Sequence, residues 1–214
     1  MTITALRPLL ALALLMIVSE LAGPFTPSAL AQTAAAPVRV RGIVLSVTAD
    51  KLRVREHRGD VVELVLSDKI VVNEVFAIKL DDIKPGSYIG TAAMPQADGS
   101  QRAIAVSVFA ESSRGVGEGH RPFDLLPHST MTNGNVAGVI VAADGSAGRT
   151  LQLKYKDGEK TIVVPADAPI VSSRPADRSL LVPGASVSLT AQVVDGKHTV
   201  LRINAGRNGF VLPY

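Results

Sequence analysis

The chain has no cysteine and no tryptophan. Without thiols there can be no disulfide, no thiolate metal centre, no cysteine nucleophile and no lipidated cysteine after a leader. Such a protein must be held together by its core. Aromatic residues make up 4% of the 214 positions, a poor supply for stacking bases or sugars. The formal net charge of +3 is mild and does not argue for the concentrated basic patch of a nucleic-acid binder, so no nucleic-acid partner is expected. No stretch beyond the first residues carries a helical apolar period. No Gly-x-Ser-x-Gly elbow is present, and Gly115-x-Gly117-x-Gly119 lacks the Lys-Ser/Thr and the helix of a phosphate loop. These absences argue against an enzyme.

The start of the chain reads as an export signal. Arg7 supplies a positive n-region, and Leu9 to Val18 is apolar over about ten residues, too short to span a bilayer. Ser28-Ala29-Leu30-Ala31 offers small residues for cleavage, which predicts a signal peptide over 1–31 and a mature start at Gln32. The alternative is an uncleaved anchor, against which Gly23, Pro24 and Pro27 argue by breaking the helix. The expected location is the periplasm or outside the cell, with membrane contact only through the uncleaved signal.

Beyond this leader the chain is β grammar, written twice. Residues 32–37 form an Ala-rich flexible tether. From 38 to 110 and from 135 to 206, short runs rich in valine, isoleucine and leucine alternate with Gly-containing turns. Each copy opens on a glycine in a β-rich run, Gly42-Ile43-Val44 and Gly138-Val139-Ile140. Each continues with an alternating strand, Leu52-Arg53-Val54 and Leu151-Gln152-Leu153. Each has a turn at Ile83-Lys84-Pro85-Gly86 and Leu181-Val182-Pro183-Gly184, and closes on Asp98-Gly99 and Asp195-Gly196. The predicted fold is all-β: two tandem small OB-like β-barrels joined by a long irregular linker, 111–134, after the N-terminal signal helix. Closure removes exposed strand edges, which matters in a chain so rich in valine; a sandwich is the alternative. Gly42 and Gly138 are placed at a bend of a first strand. The pattern Gly-x-Val, Leu-x-Val, Leu-x-x-Gly, Asp-Gly resembles bacterial exported tandem small-barrel domains of unknown function. The resemblance implies a small-barrel fold and transfers no site residues.

The linker is the part without a counterpart. It gathers His120, Arg121, Phe123, Asp124, His128 and Met131. Functional residues concentrate in such long connections. One reading is a copper or zinc site built from His120, His128, Met131 and Asp124. The other has Phe123, Leu125 and Leu126 docking the linker on the barrels, Arg121 pairing with Asp124, and the histidines solvated. On that reading Arg121 and Phe123 are interaction residues and no cofactor is bound. His57 and His198 are expected in solvated turns. The apolar tail, 207–214, either docks on the barrels or binds a partner. The functional expectation is a non-enzymatic periplasmic binding or protein-interaction module, its partner an envelope protein or a small ligand at the interface of the copies. Periplasmic metal binding through the linker is the alternative.

Overall fold

The computed structural model describes residues 37–141, 148–194 and 196–214. The predicted signal peptide and most of the tether lie outside them, as does Asp195 of the last hairpin turn. The described residues are all-β, with short 3-10 turns and no long helix. They belong to one compact unit.

Twelve strands form the fold: β1 (Val38–Val47), β2 (Lys51–Glu56), β3 (Val61–Ala77), β4 (Tyr88–Pro95), β5 (Gln101–Val108), β6 (Gly119–Pro122), β7 (Thr130–Val141), β8 (Arg149–Tyr155), β9 (Gly158–Val164), β10 (Ile170–Ala176), β11 (Ser186–Val194) and β12 (Lys197–Gly206). They pair into two five-stranded rings. Ring 1 runs β1-β2-β3-β12-β11 and closes from β11 back to β1. Ring 2 runs β7-β8-β9-β5-β4 and closes from β4 back to β7. The pairings correspond strand for strand, and in each ring only one is parallel, β3 with β12 and β9 with β5. This is the Greek-key order of OB-like barrels.

The rings do not follow the boundaries read from the sequence. Ring 1 takes three strands from 38–110 and two from 135–206, and ring 2 does the reverse. The division into a barrel of 38–110 and a barrel of 135–206 is therefore corrected: each barrel is completed by strands of the other half. Both connections between the rings are held by burial of their far ends in the ring they enter. No glycine or proline interrupts Val61–Ala77, and it forms one strand, β3, of 17 residues. Its first half pairs with β2 and its second half, as far as Val75, with β12, so the strand serves ring 1 along its length before its end carries the chain toward ring 2. There Ile83 is buried in the ring 2 core, beside Ile89, Leu151 and Ile162. In the second half, Pro165 and Pro169 split the corresponding run into β9 and β10, yet the outcome is the same. Leu180 and Leu181 are buried among Val54, Leu66 and Ile203 of ring 1. Each such burial stabilises by roughly 1.5–3 kcal/mol, which holds every connection in the ring it enters.

Where the two connections cross, β3 and β10 pair antiparallel from Val171↔Ala77 to Ala176↔Val72. Glu74 sits at this crossing and is buried. Arg174 donates to it through Nε and Nη2, at 3.2 and 3.0 Å, and Arg207 Nη2 donates at 3.0 Å. Arg174 also lies 5.0 Å above the Phe76 ring. The two guanidinium groups hold the Glu74 carboxyl down from 4.5 to about 2, against the opposing effect of burial. The apolar tail docks here: Leu212, with Phe210 and Tyr214, packs on Val75 and Val171.

The matching glycines also differ from those expected. Gly42 and Gly134, not Gly138, occupy corresponding places, where the strand passes over its neighbour. A Cβ on Gly42 would lie 2.0 Å from the Arg55 carbonyl oxygen, and one on Gly134 would lie 2.6 Å from that of Lys154. A Cβ on Gly138 would meet nothing within 4 Å. Gly42→Ala is expected to cost about 2–3 kcal/mol in urea unfolding, and Gly138→Ala less than about 1 kcal/mol; equal costs would contradict the close approach. The Glu74 pairing predicts an acid limb. Glu74 is depressed when folded, so its contribution is complete above its ordinary value of 4.5 and fades as pH falls toward about 2. Unfolding midpoints of Glu74→Gln should lose this component between those pH values. An unchanged profile would remove Glu74 from the account.

Candidate functional site: a groove between the two rings

Alternation along β1 places Val40 inside ring 1 and Arg39 and Arg41 outside. Register extends both sides across the sheet. The inner row Val40, Leu189, Ile203, Val72 is buried throughout. The outer rows are polar: Arg39, Thr190, Arg202, and beside it Arg41, Ser188, Asn204, Asn73. Asn73 Nδ2 donates to Asn204 Oδ1 at 3.1 Å.

The outer face of β4, β5 and β7 in ring 2 stands opposite. Its rows are Asn133, Gly90, Ser107 and Met131, Ala92, Ala105, small on β4 and β5 and larger on β7. Between the two faces is a groove of about 240 Å³. Long arginines of ring 1 reach toward the small residues of ring 2. Tyr214 closes one side, its hydroxyl hydrogen-bonded to Ser107 Oγ.

The linker forms the rim. Ser129 is buried and ties a small loop together: its Oγ accepts from Leu126 N at 3.0 Å and donates to the Phe123 carbonyl at 2.9 Å. This loop presents Phe123 and Asp124 to β1. The Phe123 ring lies 5.3 Å from the Arg39 guanidinium and 5.2 Å from that of Arg41. Asp124 Oδ1 accepts from Arg39 Nη1 at 3.1 Å and from Arg41 Nη2 at 2.7 Å. The hydrogen bond from Arg41 is the main cause that lowers the Asp124 pKa. Asp124 thus pairs with Arg39 and Arg41, not with Arg121. Arg121 instead donates Nη1 to the Gly117 carbonyl at 2.7 Å, and burial lowers its pKa. Arg121 and Phe123, read as interaction residues, both line the groove.

The four metal candidates do not converge. In the β6–β7 pair, His120 stands opposite Thr132 and Arg121 opposite Met131. Adjacent pairs project to opposite faces, so His120 and Met131 point apart. His120 Nδ1 is 2.8 Å from Thr132 Oγ1, and the ring lines a separate depression with Glu118, Tyr155 and Lys160. Burial, with Lys160 and Arg121 nearby, lowers its pKa. Met131 lines the groove, Asp124 is bound by arginines, and His128 is exposed in a turn with φ of 64°. Among the described residues, no three His, Cys, Asp or Glu side chains gather where a metal could sit. His57 is exposed in a turn, as expected, whereas His198, also exposed, lies in β12 opposite Val193 and not in a turn.

The linker residues were legible as candidates, but their partners were not. Arg39 and Arg41 carried a signal in the alternation Val38-Arg39-Val40-Arg41, which puts both on one face. Arg202, Asn133 and Asn204 carried none, because strands distant in sequence bring them to the groove. Two buried polar atoms here lack a protein partner, Arg41 Nε and Asn133 Oδ1. Buried polar atoms are seldom left so. The Asn133 amide is oriented by its Nδ2, which donates to the Val116 carbonyl at 3.1 Å. No protein-family model, curated protein or solved structure matches the chain. The chemistry of the groove is therefore read from its own side chains.

Proposed function

We propose that the chain is a non-enzymatic exported binding module, periplasmic after loss of residues 1–31, whose ligand occupies the groove between the rings. The observation that carries this reading is the unpartnered Oδ1 of buried Asn133 on the wall of a groove about 240 Å³ in volume. Ligand pockets typically combine a concave, largely preformed shape with a few polar groups that fix orientation. The groove has both. Its polar groups are guanidiniums, amides and hydroxyls, which recognise and orient. A guanidinium does not exchange its proton near neutral pH, so it makes a poor general acid or base.

The export reading rests on the sequence of the first residues. The duplication reading, and with it the resemblance to exported tandem barrels, is supported by the matching order of pairings in the two rings. A small ligand suits the groove better than a protein partner, because its walls are paired strands and its volume of about 240 Å³ is on the scale of a small molecule. Backbone amide shifts recorded while adding the small-molecule fraction of an envelope extract test the proposal. Perturbations are expected at Arg41, Gly90, Asn133 and Ser188. Perturbations confined to the loops around His57 and His198, or none at all, would contradict it.

A further inference from the structure

We propose that the groove recognises the phosphate group of a small hydroxylated phosphate monoester, and that Asp124 is a built-in competitor for that position. The inference rests on the groove being the binding site and names the chemistry of its ligand.

The arginines state the charge. Arg39 and Arg41 converge on a single oxygen, Oδ1 of Asp124, so two guanidiniums already share one anionic point. Arg202 stands in the same outer row as Arg39, with only Thr190 between them. Two strand spacings are about 10 Å, a distance that two arginine side chains can close around a common anion. Arg121 approaches from β6. Among the described residues, neither Arg121 nor Arg202 has a carboxylate partner. Four guanidiniums therefore face one carboxylate, and they come from three strands.

Geometry then separates the oxyanions. A carboxylate is planar and carries one charge, which a single arginine can match with two parallel hydrogen bonds. A phosphate monoester carries nearly two charges on three oxygens and accepts donors from several directions. Guanidiniums from β1, β6 and β12 suit the second. Asp124 fills the anionic position only in part, since a single oxygen takes both arginines and its side chain remains half exposed.

Asn133 adds the hydroxyl. Its free atom is an acceptor, which a deprotonated phosphate oxygen cannot satisfy. A hydroxyl on the same ligand can. Gly90 lies directly beside the free acceptor: a Cβ there would collide with Asn133 Oδ1 at 2.8 Å and with Phe109 Cε2 at 2.9 Å, so any side chain at this position would crowd it. The ligand class is thus a compact molecule with a phosphate at one end and a hydroxyl within a few bonds.

Calorimetric titration at low ionic strength tests this with glycerol 3-phosphate, inorganic phosphate, succinate and glycerol. Glycerol 3-phosphate should bind most tightly, inorganic phosphate more weakly, succinate weaker still, and glycerol not measurably. Raising the salt should weaken the phosphates. Arg202→Gln, an exposed position, should weaken glycerol 3-phosphate about tenfold, as expected for one lost charge-assisted hydrogen bond. Asp124→Asn frees Arg39 and Arg41 and should tighten it by a similar factor. Phosphatidylglycerol vesicles form a separate arm. Co-sedimentation that glycerol 3-phosphate blocks assigns the group to a lipid headgroup, and soluble binding without co-sedimentation assigns it to a free solute. Succinate binding as tightly as the phosphates, or Arg202→Gln without effect, would overturn the proposal. If extract compounds still shift the Gly90 and Ser188 amides while no phosphate binds, the ligand class is wrong and the groove reading stands. Silence of those amides toward every compound defeats both.

Discussion

The antiparallel crossing of β3 and β10 is the constraint on which the structure depends. At this crossing each half of the chain leaves the ring it began and enters the ring it completes. The crossing is held in three ways. Backbone pairing joins the strands, Glu74 gathers two arginines at their centre, and Leu212 of the tail covers Val75 and Val171. A charge buried this far is costly unless fully paired, and removing one partner leaves the cost without the compensation. The arrangement therefore disfavours any crossing that leaves Glu74 without both arginines.

The groove follows from the crossing. Because β11 and β12 complete ring 1 while β4 and β5 complete ring 2, corresponding outer faces of the two rings are brought opposite one another. One face carries arginines, at Arg39, Arg41 and Arg202. The other carries small residues, at Gly90, Ala92 and Ser107. Two identical faces would either repel or fill the gap. The difference between them leaves a cationic, walled space, and the linker places Phe123 and Asp124 at its edge.

Local grammar in the sequence was enough for the all-β class, the barrel scale and most of the strands. Valine-rich alternation and Asp-Gly or Pro-Gly turns are local signals, and β1, β2, β4, β5, β8 and β12 are near where they point. Partner choice was not local. Nothing within 38–110 states that β1 pairs with β11 instead of β4, because either strand could present an alternating apolar face to it. The length of β3, from Val61 to Ala77 without glycine or proline, marks one long strand but not the ring that follows it, since Val71 to Val75 still pair with β12 of ring 1. The candidate site divides the same way. Arg121 and Phe123 stood out by being dense in an unrepeated linker. Asn133 did not, since an asparagine next to Gly134 reads as an ordinary turn. The four proposed metal ligands looked close in sequence, but strand alternation sends His120 and Met131 to opposite faces.

The exchange of strands between rings is tested most directly by cutting the chain between its halves. A protease site inserted at Gly115–Gly117, in the exposed part of the linker, would separate β1–β5 from β6–β12 once cleaved. If each ring holds strands of both pieces, the cut protein should elute from a sizing column at the position of the intact chain and part only in denaturant. Two folded fragments that separate under native conditions would contradict the account.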